Sequence, residues 1–383
     1  MSGRAGQASL LLAAALLAAG CASAVTRAST PASAAEPPSL STSLVTSTGT
    51  WAVAVMGGSA AQHNNFWQLF VRPTATSTWR LVTPPGVASN GGLVMASLGA
   101  GSVMAAFRPS QDLSYSPLAT THNNGGAWTP GLLDAGLADV PDALAATVGG
   151  GHLLALLADG RAELSGPGGT AWTRLASYRA LAASAAGRRC GLGHLTAAAF
   201  SPAGVPLLAA DCTRPGTAGV FAYAGGTWHL AGPTLPSPYV HQIVTVLRLT
   251  TAGGTTTALL AAGTGSAARL LAAWSTDGGA HWALSPSLPL HGAKLTSASP
   301  GPGGTMAVVR NGSYAATVAA GGPWRPLPKL PPGTATLAPG PAGGWDALAV
   351  HGAKLAIWRL APGGGSWAAA QTINVPVQFG SSG

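Results

Sequence analysis

The chain has 383 residues, of which 8% are charged, with 54 Gly, 30 Pro and a net charge of +9 from 19 Lys and Arg against 10 Asp and Glu. So few charges exclude an array of solvated amphipathic helices, and an apolar content of 47% excludes disorder over most of the length. What remains is an all-β chain of short apolar strands joined by Gly- and Pro-containing turns.

In chain order, Arg4 precedes an apolar run from Leu10 to Ala19, the pattern of an export signal over residues 1–20, too short to cross a bilayer as a helix. The LAAGC segment ending at Cys21 resembles a bacterial lipoprotein lipobox, with Ala18 standing where that family usually has Leu. The resemblance implies lipidation of Cys21 and a membrane attachment through that N-terminal lipid only. Alternatively, cleavage at Ala22-Ser23-Ala24 releases a secreted protein; both readings are extracytoplasmic. Residues 21–40, rich in Ala, Ser, Thr and Pro, read as a flexible tether.

From residue 41 to 383 the chain repeats. Trp79, Trp128, Trp172, Trp228, Trp282, Trp324 and Trp367 recur every 42 to 56 residues, most after a Gly-rich turn, and a glycine turn followed by an apolar run lies upstream of most of them. In residues 141–177 one unit divides into DALAATV, HLLALLA, RAELSG and a strand starting at Trp172, here called strands A to D, with turns at Gly149-Gly150, Asp159-Gly160 and Gly168-Gly169. The A and B runs lack polar alternation, as strands covered on both faces must, and four such antiparallel strands make one propeller blade. Seven units predict a seven-bladed β-propeller over residues 41–383, a monomer.

Ser275-Thr276-Asp277-Gly278-Gly279-Ala280-His281-Trp282 matches S/T-x-D-x-G-x-x-W, and Thr121 to Trp128 matches it with Asn123 in place of the aspartate. These segments resemble the Asp-box, or BNR repeat, of sialidase-like and sortilin-like propellers. The resemblance implies a structural C–D turn built by Ser275, Asp277, Gly279 and Trp282, and by Thr121, Asn123, Gly125 and Trp128. Turn chemistry points the same way, because Asp and Asn side chains bond their own backbone. Such propellers include glycosidases, receptors and assembly factors, so the fold leaves function open.

A sialidase-like glycoside hydrolase is the alternative reading, and it needs an arginine cluster, a Tyr/Glu pair and a further acid. Here Glu36 falls in the tether and Glu163 stands alone in the repeats, with no tyrosine near it in sequence. No catalytic residue, cofactor or metal site is predicted, and three cysteines have no zinc-site spacing. Cys190 and Cys212 form an even pair that reads as one disulfide in an oxidising compartment.

Instead, B–C turns from the second unit onward each carry a cation: Arg108, Arg161, Arg214, Arg269, Arg310 and Lys354, with His63 at the corresponding place in the first. They predict a positive face for an anionic polymer or protein of the cell envelope, diluted by Asp112, Asp159, Glu163 and Asp211 near the same turns. Only Arg188-Arg189 stand adjacent and no aromatic-basic stripe occurs, which excludes a nucleic-acid binder. The expected function is binding or scaffolding.

Overall fold

A computed structural model describes residues 33–36, 39–57, 65–87, 92–107, 117–130, 141–166 and 169–376. Cys21, His63 and Arg108 lie outside them.

The strands follow one another as antiparallel meanders. They are β1 to β4 (Ser43–Thr46, Gly49–Gly57, Asn65–Pro73, Arg80–Leu81), β5 to β8 (Leu93–Gly99, Ser102–Phe107, Leu118–Thr121, Thr129–Pro130) and β9 to β12 (Pro141–Ala146, Leu153–Leu157, Ala162–Ser165, Trp172–Ala176). Short helices α1 (Tyr178–Ala183) and α2 (Ala185–Cys190) lead into β13 to β16 (Leu192–Phe200, Pro206–Cys212, Gly219–Ala224, Thr227–Leu230). Then come β17 to β20 (Val244–Ala252, Thr255–Ala262, Arg269–Ser275, Ala283–Leu284) with an extra β21 (Leu288–Pro289), β22 to β25 (Leu295–Pro300, Met306–Arg310, Tyr314–Val318, Arg325–Pro326) and β26 to β29 (Thr334–Pro339, Trp345–His351, Lys354–Leu360, Ala368–Asn374). Among the described residues five meanders are separate four-stranded sheets, and the fourth and fifth merge into one nine-stranded sheet where β14 pairs with β17.

The unit read from residues 141–177 maps onto β9 to β12 within one or two residues. Its second strand shows why the run lacks alternation: Leu153, Ala155 and Leu157 pack towards the preceding sheet, Leu154 and Leu156 towards the following one. Both faces are apolar because both are covered, and each fully buried leucine contributes roughly 1.5–3 kcal/mol. The same division recurs in β2, where Trp51 and Val53 face the second sheet and Ala52, Ala54 and Met56 face the last. Each hydrophobic cluster of the described residues joins two consecutive meanders, and one joins the first to the last.

Polar side chains reinforce that first-to-last seam. Asp346, fully buried on β27, accepts from Trp79 Nε1 at 2.8 Å and from Arg359 at 2.8 and 3.2 Å, and pairs with Arg72 Nε at 3.3 Å. The C-terminal strand β29 pairs with β28, and Val375 just beyond it packs against the first sheet.

Residues 33–36, 39 and 40 belong to the segment read as a flexible tether, and together with Ser41 they run against other strands. Ala35 is fully buried; Leu195 N–H donates to Ala34 O (3.0 Å) and Glu36 N–H to Leu195 O (2.9 Å). Further along, Ser41 N–H donates to Thr296 O (3.2 Å) and Ala298 N–H to Ser41 O (3.1 Å). Both hooks lie at β-bulges, around Leu195 in β13 and between Leu295 and Ser297 in β22, where a first strand's own ladder is interrupted and its backbone groups are free to pair elsewhere. The small side chains that leave this segment without a core of its own let it lie as a strap against other strands.

The two S/T-x-[DN]-x-G-x-x-W segments form equivalent third-to-fourth-strand turns. Asp277 Oδ1 accepts from Ser275 Oγ (2.8 Å) and His281 N–H (2.9 Å); Asn123 Oδ1 accepts from Thr121 Oγ1 (3.0 Å) and Ala127 N–H (2.9 Å). Trp282 and Trp128 each donate 2.7 Å indole bonds, to Ala231 O and Val82 O of the preceding meander. Gly125 has φ +77° and a Cβ there would collide with Val82, so this turn requires glycine. These hydrogen bonds, the His281 backbone N–H first, hold the Asp277 carboxyl well below the usual carboxylate range.

Candidate functional site

Turns between second and third strands, and the loops from one meander to the next, lie at one end of the sheets, the B–C end. The turns of Asp277 and Asn123 lie at the other, the C–D end.

At the B–C end the predicted cations differ in their surroundings. Arg161 is tied to Asp159 (2.5 Å) and lies 3.7 Å from Glu163, so much of its charge is neutralised. Glu163 itself is buried, which raises its carboxyl pKa against the opposing pull of Arg161 and Arg174. Arg310 stacks over the Tyr314 ring at 3.9 Å and donates to Pro289 O, while Pro289 pairs with Arg269, so the fifth and sixth meanders bring these two arginines to one seam. Arg269, Arg214 and Lys354 are exposed and form no ion pair among the described residues.

The densest positive charge involves residues outside the predicted set. Ser177 and Ser184 cap α1 and α2 through Ala180 N–H (3.2 Å) and Gly187 N–H (3.0 Å), and Gly191 (φ 62°) ends α2 in the left-handed region. The Cys190–Cys212 disulfide (Cα–Cα 4.9 Å) fastens α2 to the end of β14, and Arg214 Nε donates to Arg188 O at 2.9 Å. Arg188, Arg189, Arg214 and Ala185 thereby line one open depression of about 640 Å³. Lys294 and Lys329, both exposed, lie in inter-meander loops at the same end; Lys294 N–H donates to Asn311 Oδ1 (2.9 Å) beside the β23–β24 turn. The Arg188-Arg189 pair was visible in sequence, but the turn register left it out of the set. Lys294 and Lys329 carried no signal, because loop length hides which loops share an end.

Two half-buried charged groups lie on first strands. The Asp142 carboxyl on β9 is pushed up to about 6 by burial, and the Arg248 guanidinium on β17 is lowered to about 10 by burial; Asp142 Oδ2 and Arg248 Nε have no hydrogen-bond partner among the described residues. Among the described residues one group of metal-ligating side chains converges, Glu36, His194 and Asp211, with ligand atoms all within 4.8 Å of one another. It includes the one acid the sequence reading had confined to the tether.

No protein-family model and no curated protein matches the chain. Solved structures do resemble it, and they are β-propeller proteins. YCF48 from Cyanidioschyzon merolae is 11% identical with a TM-score of 0.51, covering 86% of this chain and 98% of that one. The GH74 xyloglucanase from Xanthomonas campestris is 14% identical with a TM-score of 0.53, covering 87% of this chain and 54% of that one. A protein from Lactobacillus plantarum is 11% identical with a TM-score of 0.53, covering 86% and 97%. At such identities the likeness shows the fold alone: an all-β, propeller-like chain of four-stranded antiparallel sheets.

Proposed function

We propose that the chain is an exported, seven-bladed β-propeller, lipid-anchored through Cys21, whose B–C end binds an anionic partner at the cell envelope. The blade count is supported by seven meanders whose shared hydrophobic clusters run from each to the next and from the last back to the first. The observation that carries the binding reading is the depression of Arg188, Arg189 and Arg214, three exposed guanidinium groups on a disulfide-fastened frame. Arginine suits the ligand class, since its planar fork matches phosphate or carboxylate oxygens two at a time.

The alternative, a sialidase-like glycoside hydrolase, finds less support. Glu163 is engaged by Arg161 and Arg174, and the convergent acids Glu36 and Asp211 have the His194 imidazole beside them. A sialidase-like site needs a tyrosine paired with a glutamate, and the ion-pair partners of Glu163 among the described residues are both arginines.

The test uses poly(glycerol phosphate) as the probe. The triple variant R188E/R189E/R214E is expected to lose binding by at least about tenfold at low salt, with wild-type affinity falling as salt rises. Its unfolding free energy in urea should stay within about 0.5 kcal/mol of wild type, because these side chains are exposed. Unchanged polymer binding by the variant sinks the proposal, and glycoside cleavage by the wild type would establish the alternative.

A further inference from the structure

We infer that Glu36, His194 and Asp211 form a binding site for a divalent transition-metal ion of the Zn²⁺ class, which pins the N-terminal strap to the fourth meander. The inference rests on different residues from the anionic-partner reading and does not depend on it.

Two of the three ligands sit on a rigid frame. His194 on β13 and Asp211 on β14 are adjacent to the Cys190–Cys212 disulfide, and Asp211 is also fixed by pairing with Thr245 of the next meander. Asp211 Oδ1 accepts the backbone N–H of His194. A Cβ on Gly193 would collide with that oxygen, so glycine at 193 is what lets the carboxylate fold back over the backbone. This leaves Oδ2 as the outward ligand atom, 3.4 Å from His194 Nδ1. That separation is long for a charge-assisted hydrogen bond, but two ligand atoms held by one tetrahedral Zn²⁺ at about 2.0–2.2 Å stand roughly 3.3–3.6 Å apart.

The third ligand arrives with the strap. The Glu36 N–H to Leu195 O bond and the Leu195 N–H to Ala34 O bond set Glu36 next to His194, with Ala35 buried between them. The Glu36 side chain is exposed and in no ion pair among the described residues, so it is free to close onto an ion held by the other two ligands.

Electrostatics favours occupancy. The chain has two glutamates and eight aspartates in all, yet two of these ten acids come together here with one imidazole beside them. A divalent cation held here has its charge balanced by the two carboxylates. One nitrogen and two oxygen donors match Zn²⁺ better than Ca²⁺, which takes six to eight oxygens. Cysteine spacing could not reveal the site, because its ligands are remote in sequence and none is cysteine.

The experiment is a calorimetric titration of ZnCl₂ into the chelator-stripped full chain, followed by amide hydrogen exchange with and without the ion. One Zn²⁺ per chain is expected, with Ca²⁺ failing to compete. Glu36→Gln and His194→Ala should each weaken binding by about tenfold or more. Both side chains are exposed, so the metal-free melting temperature should not move. Zn²⁺ should slow exchange at the Glu36 and Leu195 amides. No binding, stoichiometric binding that survives both substitutions, or a preference for Ca²⁺ overturns the site. Binding without slower exchange at Glu36 overturns the pinning.

Discussion

At the C–D end Asp346 is met by Arg72, Arg359 and Trp79, and Asp277 by Ser275 and His281. At the B–C end Arg188, Arg189, Arg214, Arg269, Lys294, Lys329 and Lys354 are exposed and form no ion pair among the described residues. The same meanders supply both ends, so strand packing does not dictate the difference. A chain with ten acids has placed two of them where they hold turns and seams together and, among the described residues, has left most cations at the other end without an acidic partner. The charges that hold the fold and those available to a ligand are therefore different sets, and substitutions can separate them.

The largest effect is expected at the latch. Asp346→Ala removes the carboxylate between two arginines and leaves Arg72 charged and buried, which should cost about 3–5 kcal/mol in urea unfolding; a loss below about 1 kcal/mol would mean the seam is held by its apolar cluster alone. Next is the frame of the B–C end. Cys190→Ser with Cys212→Ser opens a link spanning 22 residues of sequence, expected to cost about 3 kcal/mol by the chain-entropy relation. The same change should weaken poly(glycerol phosphate) binding by loosening Arg188 and Arg189 against Arg214.

A smaller effect, opposite in sign at neutral pH, belongs to Asp142. Its folded pKa of about 6 lies above the unfolded value, so its contribution to stability is fully present below about pH 4 and is lost as pH rises through 6. Allowing for partial exposure, Asp142→Asn should stabilise the chain at pH 7 by on the order of 1–2 kcal/mol and flatten the stability profile between pH 4 and 7. An unchanged profile would show that the carboxyl is hydrated in the folded state. The smallest shift is expected for Asp277→Ala, a modest fall in melting temperature with local loosening around Trp282. The Asp277 folded pKa is depressed, so wild type and variant should converge as pH falls below the ordinary aspartate range.

The meanders were legible because their cause is written locally. Glycine turns and apolar runs such as HLLALLA record strands covered on both faces, and tryptophans such as Trp282 mark the starts of fourth strands. Much of the charge network was not legible, because its cause is tertiary. Nothing in GGWDALAV distinguishes Asp346 from a solvated strand residue; its partners Arg72 and Trp79 lie at the opposite end of the chain. The strap was not legible for a related reason: Ala and Ser argue against a self-contained core, yet Ala35, within the segment read as a tether, and Ser41 just beyond it are buried against first strands formed much later in the sequence. Arg161 looked like Arg214 in sequence and differs because Asp159 and Glu163 surround it.

The strap also bears on the order of assembly. Ser41 finds its partner only when β22 exists, and Trp79 finds Asp346 only when β27 does, so the earliest part of the domain to be synthesised depends on the latest for its hydrogen bonds. Pairings this distant in sequence close slowly, because loop entropy is lost before the contact forms. The first meander should therefore be the last region to acquire amide protection during refolding, and a chain cut short before residue 346 should leave its N-terminal strands exposed to self-association.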